Sequence, residues 1–200
     1  MAIDAYMVFV PYNAPAPLAE SQVELKGSAG TEVLANCDGF SLKTYVGGTQ
    51  VFEVEDYSFD IEQQLNIGSQ STGAGAGKVT FNPFSITRKI DKTSPLFFQM
   101  ACAGTPFQTV YLCIRKAGGT ATGDQSSGLI FLRFDFKLVA IKTISYSHDD
   151  ERPKETLTFE YGGLQIRYTQ QNPDGSMMPG YIKSGWNRVK NVSDTLPTPI

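Results

Sequence analysis

Polar and apolar positions alternate along most of this chain, and the alternation predicts strands. The cleanest run is residues 57–67. Tyr57, Phe59, Ile61, Leu65 and Ile67 fall on odd positions, with Gln63 the exception, while Ser58, Asp60, Glu62, Gln64 and Asn66 are even. Period two over such a stretch describes a half-buried strand with one dry face and one wet face. Residues 130–140 behave alike. Ile130, Leu132, Phe134, Phe136, Leu138 and Ala140 share a face, and Arg133, Asp135 and Lys137 take the other. At about 3.4 Å per residue that strand is roughly 35 Å long, which is long for an ordinary sheet.

Two further runs slip by one position. Val79 and Phe81 are odd, Phe84 and Ile86 even, with Pro83 between; Leu157, Phe159 and Tyr161 are odd, Leu164, Ile166 and Tyr168 even, with Gly162 and Gly163 between. A slip of one residue turns the dry face outward unless a β-bulge absorbs it, and Pro or Gly is the residue expected at a bulge. Val110, Leu112 and Ile114 mark another strand whose second face, with Tyr111 and Cys113, is also rather apolar. That pattern predicts burial on both sides, by the core and by a partner.

One helix is expected, over about 94–103. Ser94 suits an N-cap, Pro95 the first helical position, and Gly104 the stop, with Leu96, Phe97, Met100 and Ala101 at helical spacing between them. So short a helix is held by packing rather than by propensity. Seven to nine strands and one helix describe a mainly β protein, a bent antiparallel β-barrel, closed or nearly so. We read residues 1–200 as a single domain. Residues 22–50 form an unassigned insertion and residues 188–200 a flexible tail.

Composition narrows the function classes. Of 200 residues, 41% are hydrophobic, enough for a full core, so wholesale disorder is excluded. Seventeen basic and twenty acidic side chains leave a net charge of −3, without the basic footprint that nucleic acid or an anionic membrane requires. No apolar run approaches the ~20 residues of a membrane span. The apolar stretch 5–10 follows Asp4 rather than basic residues, so no cleavable signal peptide is expected. Cys37, Cys102 and Cys113 lack metal-ligand spacing and read as reduced thiols.

Candidate chemistry is sparse. The single histidine, His148, sits beside Asp149, Asp150 and Glu151, and reads as part of a solvated acidic loop rather than as a general base. Asp60 and Glu62 lie on the wet face of a strand, where charge is expected without glycosidase chemistry. Residues 68–78 superficially resemble a phosphate loop. However, Val79 follows Lys78 where Ser or Thr is needed, and a strand rather than a helix comes next. Neither a cofactor nor a metal site is expected, and no catalytic residue is assigned.

An ordered set of short motifs carries a family resemblance. Gly75-Ala76-Gly77-Lys78-Val79 leads into Ile86-Thr87-Arg88-Lys89-Ile90-Asp91-Lys92-Thr93-Ser94-Pro95-Leu96-Phe97. Then come Ala101-Cys102-Ala103-Gly104 and a strand running to Lys116 and Ala117-Gly118-Gly119. Tyr168-Thr169-Gln170-Gln171, Asp174-Gly175-Ser176 and Gly185-Trp186 close the set. The order resembles the haemolysin-coregulated protein (Hcp) family, the inner-tube subunits of type VI secretion systems, over residues 54–187. Residues 22–50 have no counterpart in that pattern.

The resemblance implies a bent β-barrel that forms hexameric rings with copies of itself. The rings stack into a tube that is propelled by a contractile sheath, tipped by a valine-glycine-rich spike protein, and carries effector proteins. It also implies assembly in the bacterial cytoplasm and release without a cleavable signal. The loop with Gly68, Ser69, Gln70, Gly73, Gly75 and Gly77 matches the position of the family's extended loop, which takes part in ring stacking. Tyr111, Cys113 and Arg115 are candidate subunit-interface residues. Ser58, Asp60, Glu62 and Gln64 are candidates to face a wet lumen. Two other readings of the same pattern are a tail-tube protein of a phage-like contractile particle, and a monomeric barrel holding a small apolar ligand in its mouth.

Overall fold

A computed structural model describes residues 3–12, 51–65, 76–116, 130–148, 152–170 and 181–193. The unassigned insertion 22–50, the stacking loop from Gly68 to Gly75 and residues 194–200 lie outside them. The described elements are mainly β, as the alternation predicts, with one α-helix. They are β1 (Ile3–Pro11), β2 (Phe52–Val54), β3 (Asp56–Ser58), β4 (Ile61–Leu65), β5 (Ala76–Phe81), β6 (Phe84–Lys89), α1 (Ser94–Ala103), β7 (Phe107–Lys116), β8 (Ile130–His148), β9 (Pro153–Tyr168), β10 (Ile182–Asn187) and β11 (Val192–Ser193).

Nine strands make one antiparallel sheet in the order β11-β10-β9-β8-β7-β1-β2, with β6 also pairing β9 and β3 pairing β6. The long strand β9 gives one edge to β8. Its other edge is shared, residues 154–159 to β6 and 163–168 to β10. The sheet curls toward itself. β2 bonds to β1 and, one residue after it ends, the Glu55 amide donates to the Thr87 carbonyl at 2.9 Å and β3 bonds to β6. Among the described residues no continuous ladder closes this seam, so the molecule is a barrel only approximately. β4 and β5 pair with each other in a separate two-stranded sheet.

The interior is filled by phenylalanine. Phe84 stacks on Phe136 at a centroid distance of 4.5 Å, and Phe9 lies 5.0–5.7 Å from Phe52, Phe97, Phe107 and Phe159. Ring pairs in such geometries add about 0.5–1.5 kcal/mol each beyond the area they bury. Met7, Ile86, Leu112 and Leu157 complete the cluster at 0–1% exposure. Among the described residues the interior is therefore packed core. α1 inserts Phe97 and Met100 into this core. Gly104 ends the helix at φ +64°, a left-handed conformation that glycine adopts without a Cβ penalty.

Several expected details are corrected. Residues 57–67 are not one strand: β3 joins the main sheet and β4 the small one, with the break at Phe59 and Asp60. Tyr57 and Phe59 still pack on the core, whereas Ile61 is exposed because it has left the main sheet. Pro83 marks a break between β5 and β6 rather than a bulge within one strand; proline has no amide to carry a ladder across. Thr93, not Ser94, is the residue at the helix N-cap, without a side-chain capping bond. β8 runs on to His148, well past Ala140.

The parity slip at Gly162 is real but is not a bulge. β8 and β9 keep register past it, Lys137 opposite Gly163 and Val139 opposite Tyr161. Instead β8 slips as well. Leu138 has φ +50°, and the buried side chains change from Phe136 to Val139. Both strands thus kink together, and a Cβ at Gly162 would lie 3.2 Å from the Leu138 Cβ. The ladder's register shift falls further on, between Ile141 and Thr143.

Candidate functional site

The sheet presents two faces, and the sequence elements that build the second face decide what it can do. Ala5, Met7 and Phe9 of β1 point into the phenylalanine core, while Tyr6, Val8 and Val10 point the other way. β7 divides in the same manner, Val110, Leu112 and Ile114 against Tyr111 and Cys113. A second cluster forms from Tyr6, Val8, Val51, Tyr111, Cys113 and Ile130. The expectation of two buried faces for β7 therefore holds within one chain. Tyr111 and Cys113, proposed above for a subunit interface, sit fully buried in this second cluster. Arg115 lies in β7 opposite Asp4 and Ile130.

Next to that cluster, on the same face, lies a buried ionic group. Arg133 donates from Nε and Nη2 to both oxygens of Asp135, at 2.5 and 2.6 Å. Arg167 Nε lies 3.1 Å from Asp135 Oδ2 and donates to Gln165 Oε1 at 2.9 Å. Lys137 donates to Thr109 Oγ1 at 2.9 Å. The face of residues 130–140 read as wet is thus dry. Its charges tolerate burial because a two-bond guanidinium–carboxylate fork meets most of the hydrogen-bonding demand.

A second buried ionic group holds the N-terminus of α1. Arg88 pairs with Asp91 and lies 3.5 Å from Glu155 Oε1, donates to Thr93 Oγ1 at 3.0 Å, and covers the Phe52 ring at 4.8 Å. Ser94 Oγ donates to Glu155 Oε1 at 2.9 Å, and Asp91 Oδ1 accepts from the Thr93 amide and hydroxyl. Burial pushes the Glu155 carboxyl above its ordinary value, against the pull of Ser94 and Arg88. Burial acts on Asp91 in the same direction, but hydrogen bonds from Thr93 and the charge of Arg88 outweigh it and hold that carboxyl below its ordinary value. These residues fix helix to sheet. Arg88 to Ser94 belong to the motif string read from the sequence, whereas Glu155 is far along the chain and nothing local flagged it.

Three of the four residues proposed for a lumen are wet. Ser58, Asp60 and Glu62 are exposed, and Asp60 Oδ2 accepts from Asn82 Nδ2 at 2.5 Å. Gln64 belongs to β4. Of the stacking-loop residues, Gly68, Ser69, Gln70, Gly73 and Gly75 lie outside the described residues, and Gly77 falls in β5. His148 is exposed at the end of β8. Among the described residues, no three His, Cys, Asp or Glu side chains are grouped to hold a metal ion.

Comparison with known proteins agrees with this architecture. Residues 43–168 match the family model described as "Type VI secretion system effector, Hcp". The chain is 33% identical to protein hcp1 of Pseudomonas aeruginosa over 117 residues, 58% of this chain and 68% of that one. Among solved structures, one described as a type six secretion system protein aligns with a TM-score of 0.71 at 21% identity, covering 96% of this chain and 100% of that chain. Hcp1 from Salmonella typhimurium aligns at 0.62 and 18%, covering 96% and 100%. The curled sheet, the one helix among the described residues and these matches define a type VI secretion component. The chain belongs to the Hcp family.

Proposed function

We propose that this chain is the structural brick of a type VI secretion inner tube. Copies form hexameric rings, the rings stack, a contractile sheath drives the tube with its spike protein outward, and effectors travel with it. Assembly takes place in the bacterial cytoplasm and release needs no cleavable signal. The chain acts by assembling, with no catalytic step. The observation that carries this reading is the family match across residues 43–168. The phenylalanine-filled interior supports it against a monomeric barrel with a ligand in its mouth. Head-to-tail rings need two different complementary surfaces on each copy.

The test is the state of the purified chain in solution. Annular particles with a central opening are expected under negative-stain microscopy, with a matching sedimentation coefficient. A clean monomer at tens of micromolar would overturn the proposal.

A further inference from the structure

One region of the subunit carries three unmet costs together. A cleft of about 740 Å³ opens between β5 and the kinked part of β8 and β9. Leu138 lines it, 48% exposed and in a left-handed backbone conformation that a leucine adopts only at a cost. Val189 lines it too, 73% exposed. Tyr161 stands in its wall at 3% exposure, its hydroxyl buried without a hydrogen-bond partner among the described residues. A buried orphan hydroxyl costs about 1–3 kcal/mol until something bonds it.

The cleft also has an unpaired strand on one side. β5 pairs with β4 through one edge, and its other edge at residues 79–81 pairs with no strand among the described residues. Such an edge displays amide and carbonyl groups at strand spacing, which an extended polypeptide satisfies and a small molecule or a helix does not. The rim carries no charge that asks for an ionic ligand: Glu160 already accepts from Arg188 at 2.8 Å and Lys142 at 3.0 Å. The occupant is therefore an extended segment of protein that turns an apolar side chain toward Leu138 and Val189.

The same chain exposes such a segment, in which Ile182 supplies the apolar side chain and the alternation of a strand turns Lys183 to the opposite side. β10 begins at Ile182, 76% exposed, and β11 covers β10 only at Trp186 and Asn187. Residues 182–185 thus keep one open strand edge among the described residues. We propose that the cleft beside β5 receives the Ile182 end of β10 from a neighbouring copy. The segment adds as a strand to residues 79–81 and seats Ile182 against Leu138 and Val189. Cleft and segment are different surfaces of one chain, as a head-to-tail ring demands. This inference rests on the ring-forming reading above and says where one copy grips the next.

The test uses the full chain. Val189→Asp and Ile182→Asp alter exposed side chains, so circular dichroism and melting should match the wild type. Each should raise the concentration for half-assembly at least tenfold by sedimentation, while Val189→Leu stays near wild type. In wild-type rings the amides of Val79 and Phe81, which face the open edge because the Asn82 amide bonds Asp60 of the β4 side, should exchange hydrogen more slowly than in the monomer, and Val189→Asp should abolish that protection. Wild-type assembly by both Asp variants, as expected if a foreign segment is the occupant, overturns the proposal while leaving rings intact. Unprotected Val79 and Phe81 amides in wild-type rings overturn it equally. A wild-type chain that forms no rings overturns the ring reading and this inference with it.

Discussion

Arg88 shows how one side chain binds elements that are distant in sequence. Its guanidinium faces Asp91 and Glu155 while resting on the Phe52 ring, so it joins β6, β9 and the start of α1. Removing it leaves Glu155 buried without its cation. Arg88→Ala should cost about 3–5 kcal/mol in urea unfolding, the range for breaking a buried pair from one side. Acid should act on the two carboxylates in opposite senses. Glu155 has a raised value in the folded chain, so the fold takes up its proton more readily than the unfolded chain does. Stability tied to it rises as pH falls from neutral through that raised value. Asp91 is held below its ordinary value. Its contribution is present above the unfolded value and is lost as pH falls through the lower folded one. Melting against pH should thus climb on mild acidification and then fall. Glu155→Gln should flatten the climb and Asp91→Asn should weaken the fall. An unchanged profile in both variants would show that this cluster is not linked to pH.

At the level of elements, the paired kink of β8 and β9 is the feature most open to a direct test. Gly162 faces Leu138 so closely that a methyl group would press on its Cβ, an atom the backbone holds in place. Gly162→Ala should cost about 1–2 kcal/mol by overpacking, and Leu138→Gly should relieve much of that cost in the double variant. Strictly additive effects in denaturant melts would contradict this contact. The kink also marks where reading from sequence succeeds and fails. Gly162 and Gly163 stand out as punctuation, so a parity change there was legible. Leu138 was not, because a leucine with positive φ leaves no trace in a hydrophobic pattern. Alternation likewise placed Phe134 and Phe136 in the core correctly but made Arg133 and Asp135 look wet. Period two separates the faces of a strand without saying whether the polar face meets water or a countercharge. Residues 57–67 failed for a related reason: the pattern persists in Tyr57 and Phe59 while the pairing partner changes after them.

For the whole molecule, the motif string was the more informative part of the sequence, since it led to the family before any pairing was known. Interfaces were less legible. Tyr111 and Cys113 looked sticky because they are apolar, yet a buried apolar face inside one chain produces the same letters as a docking face. The cleft by β5 left almost no mark, because Tyr161, Leu138 and Val189 come together only after folding. The stacking loop keeps its place as an expectation and can be checked. Prolines at Gly68, Gly73 and Gly75, sparing Gly77 because it lies in β5, should leave melting unchanged. They should shorten tubes seen by microscopy if the loop orders against the next ring. Tubes of normal length would remove the loop from that role.

The crowded aromatic middle of the barrel has a consequence for transport. A subunit plugged by its own side chains cannot be bored into a channel by trimming them; pruning Phe84 or Phe136 would loosen the brick, not widen a road. Any conduit would have to lie between copies in the proposed ring, its bore set by how many stand side by side.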